Sequence, residues 1–155
     1  MSYYFDIIFK NSRKLTLSLV AVFAVASCGS SSSGASKEDA AACEEFALVA
    51  TSTINDMTSW IQDREDIEGT SEGFQASLAI AESMLTASSK AAEFSTKGSS
   101  KSAKKLFSAA ETAFDEAGNA VAMRGGSLGP SEEALIKKAV ESASEIGDFC
   151  GFGKS

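Results

Sequence analysis

The sequence predicts an all-α protein, and more closely an alanine-rich four-helix bundle with up-down-up-down topology. In four successive segments apolar residues recur at steps of three and four, and residues that start or stop helices flank each segment. The breaks between these segments are short, which favours antiparallel neighbours. No segment alternates apolar and polar residues with β-branched side chains for long enough to predict a strand.

The first two helices are predicted from a cap and two apolar faces. Residues 36–39, "SKED", match a capping box, and residues 63–71, "DREDIEGTS", form a polar break after the first helix. The first helix carries one apolar face, which comprises Cys43, Phe46, Ala47, Ala50, Ile54, Met57, Trp60 and Ile61. The second helix has a stripe of Phe74, Leu78, Ala81, Leu85 and Ala92, flanked by Ile80, Met84, Ala87, Ala91 and Phe94. Together these two rows predict a wide buried face.

The third and fourth helices are separated from their neighbours by glycine, serine and proline. Residues 97–101, "KGSSK", supply a stop glycine and N-cap serines, and Gly125, Gly126 and Pro130 mark the next break. The apolar residues of the third helix are Ala103, Leu106, Phe107, Ala110, Ala113, Phe114, Ala117, Val121 and Met123. Those of the fourth helix are Leu135, Ile136, Ala139, Val140, Ala143, Ile146, Phe149 and Cys150.

The N-terminal segment has the pattern of an export signal. An uncharged apolar run at residues 15–26 follows Lys10, Arg13 and Lys14, which is typical of a secretory signal. This run is shorter than the roughly 20 residues that a membrane-spanning helix needs, so it predicts no permanent transmembrane anchor.

The four residues at 25–28, Val-Ala-Ser-Cys, resemble the lipobox of bacterial lipoprotein precursors. In that family the cysteine thiol takes a diacylglyceryl group, and a peptidase then cuts just before the cysteine. The resemblance covers residues 1–28 only, and it implies that Cys28 is the lipid attachment site and the first residue of the mature protein. Two acyl chains are what stable anchoring requires. The alternative is cleavage after the A-x-A pattern at residues 24–26, which would release a soluble protein with a free Cys28.

This interpretation divides the chain into three parts. Residues 1–27 are the signal peptide, residues 28–36 are the lipidated cysteine with a Gly/Ser tether, and residues 37–155 are the helical domain. A flexible tether of this length reaches roughly 15 Å. The resemblance implies a lipid-anchored protein of the cell membrane or outer membrane that faces outside the cytoplasm. Gly29 and Ser30 follow the cysteine without an aspartate, which resembles the outer-membrane sorting pattern of Gram-negative lipoproteins.

Cysteine use predicts a bond between the first and last helices. The chain has three cysteines, and with Cys28 assigned to lipid, Cys43 and Cys150 remain. In a bundle of four antiparallel helices these two lie at the same pole, and an extracytoplasmic location permits a disulfide between them. The alternative is two separate buried thiols.

The charge of the chain argues against nucleic acid as a partner. The formal net charge is −7, and it becomes −9 once the three basic and one acidic residues of the signal are removed. A surface of this sign repels nucleic acid and anionic headgroups. Membrane attachment is therefore expected to depend on the lipid, without help from a basic patch.

The residue types present predict that the protein is not an enzyme and holds no cofactor or metal. There is no histidine, and the only tyrosines lie in the signal, which removes Ser-His-Asp triads and histidine metal sites. The motif "GGSLG" around Ser127 lacks the strand and the histidine of a nucleophile elbow, and Ser102 with Lys105 lacks the companion motifs of Ser-x-x-Lys enzymes. The acidic residues at 63–72 do not follow the EF-hand order.

One group of residues is a candidate partner-binding site. The pole far from the tether collects the only tryptophan with other large apolar side chains, namely Met57, Trp60, Ile61, Ile67, Phe74, Met123, Leu128 and Leu135. Such side chains ringed by acids suit a protein partner with a basic rim, and the predicted function is a binding or scaffolding module. The alternative function is a carrier or sensor of a small apolar or cationic ligand in a cavity between the helices. The simplest structural explanation is that these residues plug the end of the core.

Overall fold

The computed structural model describes residues 35–97, 100–125 and 127–152, apart from the side chains of residues 37, 38, 64 and 65. Within these ranges the chain forms four α-helices and no strand. They are α1 (Lys37–Ile67), α2 (Ser71–Lys97), α3 (Lys101–Arg124) and α4 (Pro130–Cys150). The predicted signal peptide, Cys28 and residues 29–34 of the tether lie outside the described residues.

The starts of α1 and α3 and the end of α3 are those that the cap residues predict, whereas α1 continues to Ile67, through the first residues of the predicted polar break at 63–71. At the start of α1 the Ser36 hydroxyl accepts a hydrogen bond from the Asp39 N–H at 3.1 Å, and the Asp39 carboxylate accepts one from the Ser36 N–H at 3.3 Å. This is a complete capping box. Ser100 caps α3 by accepting from the Ala103 N–H at 3.0 Å. Gly125 ends α3 with a φ of +60°, a conformation that glycine adopts without steric cost.

The helices form an up-down-up-down bundle, which confirms the predicted fold class. Each helix packs against the next, and α1 also contacts α4 to close the ring. The contact between α2 and α3 is the most extensive, and that between α1 and α4 is the least. Cys43 and Cys150 are joined by a disulfide across this smallest interface, with Cα atoms 5.9 Å apart. The bond therefore closes the bundle where packing contributes least.

Small side chains bring the two central helices close together. A Cβ atom on Gly118 of α3 would lie 3.2 Å from the Ala81 carbonyl oxygen and the Met84 Cβ of α2. The Ser88 hydroxyl of α2 donates to the Glu111 carbonyl oxygen of α3 at 3.0 Å. Because glycine, alanine and serine line this interface, the two backbones approach closely along most of their length.

An aromatic cluster lies among the many alanines of the core. Phe46 of α1 packs edge-on against Phe107 and Phe114 of α3, with ring centroids 5.4 and 6.2 Å apart. Phe94 of α2 lies 5.4 Å from Phe107. These four rings connect three helices near the disulfide, so the cluster fixes the position of α1 relative to the rest of the bundle.

The buried face of α2 is narrower than the sequence predicts. Its buried residues are Gly73, Ser77, Ile80, Ala81, Met84, Ala87, Ser88, Ala91 and Phe94. Phe74, Leu78 and Leu85, which the sequence analysis places in the core face, are exposed. The prediction was wrong for these three side chains because small serines and alanines occupy the α2–α3 interface in their place. A row of large apolar side chains is thus left on the surface.

Candidate functional site

The candidate site lies at the end of the bundle opposite the disulfide, which we call the distal pole. It comprises the end of α1, the start of α2, the end of α3 and the start of α4. Thr70 caps α2 there by accepting a hydrogen bond from the Gly73 N–H at 3.0 Å. Gly69 has a φ of +76°, so the α1–α2 turn reverses within three residues.

The predicted site residues at this pole fall into two groups: two buried residues, and six that are half-buried or exposed. Met57 and Trp60 are buried and belong to the core, whereas Ile61, Ile67, Leu128 and Leu135 are half-buried. Phe74 and Met123 are exposed, with 45% and 83% of their surface open to solvent. The surface that a partner can reach at this pole therefore consists chiefly of the second group, and Met57 and Trp60 support it from within.

Trp60 is held by packing alone. Its indole Nε1 is buried and has no hydrogen-bond partner in the part of the chain that the structure describes. An unpaired buried N–H costs free energy, which the large apolar area of the ring offsets. Trp60 thus fills the distal end of the core.

Beside Met123 a hollow of about 470 Å³ opens between α3 and α4. Ala120, Met123 and Leu135 supply its apolar lining. Its polar lining comes from Glu116, Asn119, Arg124 and Glu132. Of these seven residues only Met123 and Leu135 were predicted for this site from the sequence. Helical spacing places Glu116, Asn119, Ala120 and Arg124 on the same helix as Met123, and Glu132 lies on α4 with Leu135. Only the packing of α3 against α4 creates the concavity.

A second apolar surface runs along α2 on the other side of α3. Phe74, Leu78 and Leu85 are spaced by four and seven residues, so they share one helix face. Phe74 covers the end of α3, since a Cβ on Gly125 would lie 3.0 Å from the Phe74 ring. The distal half of α3 is therefore flanked by uncovered apolar side chains on both sides.

The charges near the hollow are paired, whereas those of the α1–α2 turn are not. Glu116 binds Lys138 at 2.7 Å, and Arg124 Nε donates to Glu132 at 3.1 Å. At the end of α1, in the turn and at the start of α2, the exposed carboxylates of Asp63, Asp66, Glu68 and Glu72 form no ion pair within the described residues. Among the described residues, the unpaired negative charge of this pole thus lies around the α1–α2 turn, a few residues before Phe74 in the sequence.

Glu132 is the most constrained acid of the site. Burial alone would raise the pKa of its carboxyl, but hydrogen bonds from the Gly129 N–H at 2.9 Å, Ser131 and Arg124 hold the pKa below its ordinary value of 4.5. Glu132 therefore fixes the start of α4 and one wall of the hollow while it is ionised.

Replacing Glu132 by glutamine is expected to lower the Tm at about pH 7 and to leave it unchanged below the lowered pKa of the carboxyl. A carboxyl whose pKa is lowered in the folded state stabilises the fold at pH values above its ordinary pKa of 4.5. This stabilisation is lost as the pH falls through the lowered pKa. Thermal unfolding followed by circular dichroism at both pH values measures the difference. Glu82→Gln removes the same charge from an exposed position and serves as the control. A constant difference in Tm across this pH range would contradict the assignment.

The residues considered for catalysis are not gathered around the hollow. Ser127 lies in the turn between α3 and α4, where its N–H donates to the Arg124 carbonyl oxygen at 3.4 Å. Ser102 and Lys105 are exposed near the start of α3, at the other end of the helix. Among the described residues, no three histidine, cysteine or acidic side chains are grouped so as to hold a metal ion.

The fold and the site define a small four-helix bundle, closed by a disulfide, with uncovered apolar surface at one end. No helix within the described ranges is both long enough and apolar enough to cross a membrane. Comparison with protein-family models, curated proteins and solved structures gave no match.

Proposed function

We propose that this chain is a lipid-anchored extracytoplasmic lipoprotein whose bundle is a binding or scaffolding module, not an enzyme. The lipobox-like residues 25–28 support the anchor at Cys28. The disulfide between Cys43 and Cys150 is consistent with an oxidising location outside the cytoplasm. Anchored in this way, the protein holds the end of the bundle that carries the disulfide at the membrane, and it presents the distal pole to partners.

The observation that carries the binding role is the exposed apolar surface around α3. Large apolar side chains are uncovered on α2, and Met123 stands almost fully exposed beside the hollow. Apolar side chains clustered on the surface of a small protein mark sites of interaction, and methionine adapts to varied partners. A protein partner would insert apolar side chains here.

The acidic turn favours a partner with basic residues. Asp66, Glu68 and Glu72 lie within a few residues of Phe74 in the sequence, and they form no ion pair among the residues that the structure describes. Positive groups at the rim of the partner would be attracted to them and would set its orientation. The proposed partner is thus a protein surface with an apolar centre and a basic edge.

The second candidate is a carrier or sensor of a small ligand, and the hollow beside Met123 favours it. Its volume of about 470 Å³ is within the range of ligand sites. Its apolar lining of Ala120, Met123 and Leu135 suits a small apolar molecule. Native mass spectrometry of the purified protein separates the candidates, because a retained small molecule supports the carrier and an unliganded mass supports the partner-binding module.

A photo-reactive amino acid at position 123 tests the partner-binding function in cells. We expect a discrete crosslinked species after illumination, because Met123 lies at the centre of the proposed surface. Leu48 is the matched control: it is a large apolar side chain, 67% exposed, but it lies on α1 toward the disulfide end. Equal crosslinking at positions 48 and 123, or none at either, would contradict the assignment of the distal pole.

A further inference from the structure

A group of lysines surrounds the α2–α3 turn at the proximal pole, the end of the bundle that holds the disulfide. Lys97 ends α2, and Lys101, Lys104 and Lys105 lie in the first five residues of α3. All four side chains are exposed. We call this group the lysine corner. The net charge of the chain gave no indication of it, because acids elsewhere outnumber these lysines.

Most of the positive charge of the lysine corner is uncompensated. Lys97 binds Glu93 at 2.7 Å, and Glu93 is shared with Lys90 at 3.1 Å. Lys101, Lys104 and Lys105 form no ion pair within the described residues. Other exposed acids of this pole lie on α1 and α4 and include Glu44, Glu45, Glu145 and Asp148, of which Glu45 is paired with Lys90.

The position of these lysines is unfavourable for the helix itself. The start of a helix carries partial positive charge and favours acidic side chains. The first turns of α2 and α4 follow this preference with Glu72, Glu132 and Glu133, whereas the first turn of α3 has no acid. Three lysines here also repel one another. The stability of α3 therefore does not explain why these lysines lie at its start. Binding to an anionic surface outside the protein would explain it.

The tether joins the bundle at the pole that carries the lysine corner. An anchor at Cys28 would therefore hold the lysine corner next to the membrane. Ser36, the last residue of the tether, caps α1 at the same pole, and the ion pair between Lys90 and Glu45 at 2.9 Å joins the end of α2 to the start of α1 there. From Cys28, the tether reaches roughly 15 Å. Electrostatic attraction to a charged surface extends over about 10 Å at moderate salt. The tether is therefore short enough to hold the proximal pole near the headgroups, where this attraction acts.

We propose that the lysine corner docks on anionic phospholipid headgroups of the membrane that holds the anchor. The inference rests on the proposed lipid anchor. The docked bundle stands with its proximal pole on the membrane and its acidic distal pole directed away from it. Each lysine near an anionic surface contributes about a fivefold preference for the docked orientation.

The test uses the mature lipidated chain in two kinds of vesicle, one of phosphatidylcholine and one of equal parts phosphatidylcholine and phosphatidylglycerol. Exposed amines are labelled with a succinimidyl ester, and each site is quantified by mass spectrometry. Labelling of Lys101, Lys104 and Lys105 is expected to fall at least about fivefold on the anionic vesicles relative to the neutral ones, since each of the three lysines contributes about that factor. Salt at about 1 M should abolish this protection. Equal labelling on both vesicles would overturn the proposal.

Two double variants with the same charge change provide the control. Lys104→Gln/Lys105→Gln removes two adjacent lysines from the corner and is expected to restore the labelling of Lys101. Lys137→Gln/Lys138→Gln removes two adjacent exposed lysines from α4 and should leave Lys101 protected. Loss of protection in both variants would mean that total charge, not the corner, directs docking, and would also overturn the proposal.

Flotation separates this inference from the anchor on which it rests. A lipidated protein floats with the neutral vesicles as well as the anionic ones. Flotation with both, without selective lysine protection, would overturn only the docking. Failure to float with neutral vesicles would overturn the anchor, and the docking geometry that depends on it would be overturned as well.

Discussion

Replacing both Cys43 and Cys150 by alanine is expected to lower the free energy of unfolding by about 4 to 5 kcal/mol in the chain-entropy treatment of crosslinks. The bond joins residues 107 positions apart, so it restricts almost the whole unfolded domain. It also holds the α1–α4 interface, which is the least extensive of the bundle. Urea denaturation followed by helical circular dichroism measures the loss.

Reduction of the wild-type protein provides the matched control for this variant. Wild type in reductant should unfold near the midpoint of the double alanine variant, and the variant itself should not respond to reductant. An unchanged midpoint after reduction would mean that packing alone holds α1 against α4. It would contradict a stabilising role for the bond.

Phe46→Ala is expected to destabilise the bundle by about 3 to 5 kcal/mol. Phe46 is 1% exposed and packs against two rings of α3, so truncation leaves a cavity at the junction between α1 and the other helices. Phe46→Leu, which keeps most of the volume, should cost less than about 1.5 kcal/mol. Chemical denaturation of both variants measures the two effects.

Phe74→Ala is the control for the same chemical change at the surface. Phe74 is 45% exposed, and its removal should cost much less than that of Phe46. It should instead weaken crosslinking of a partner at position 123. Equal destabilisation by the two substitutions would contradict the division of the apolar residues into a core and an uncovered surface.

Local signals in the sequence determine the helices and their order. The capping box at Ser36, the N-cap at Ser100 and the glycine at 125 each act over a few residues, so their effects can be predicted without knowledge of the fold. The disulfide followed from cysteine parity and helix count together, and the structure confirms the pair.

The choice of buried face on α2 was not predictable from periodicity. Phe74, Leu78 and Leu85 are larger than the serines that the helix buries, so hydrophobicity alone selects the wrong row. Ser77 and Ser88 are tolerated in the interface because their hydroxyls donate to the carbonyl oxygens of Phe74 and Glu111. The Ser77 bond is internal to α2, whereas the Ser88 bond depends on the neighbouring helix, which the pattern of a single helix does not contain.

The sequence alone predicts neither the hollow nor the lysine corner, for related reasons. The hollow requires α4 to lie beside α3 at a particular distance, which the spacing of residues on α3 does not specify. The lysine corner depends on where the chain reverses. The net charge of the whole chain is negative and does not reveal a local group of lysines. Both features arise from how the helices are arranged, not from any one segment.

The intact mass of the protein extracted from its native membrane, before and after reduction and alkylation, tests the anchored arrangement most directly. The expected mass is that of a chain starting at Cys28 with acyl groups attached, and two alkylation sites should appear only after reduction. A mass that starts at Ser27 without lipid would contradict the anchor. The distal pole would then have no defined relation to a membrane.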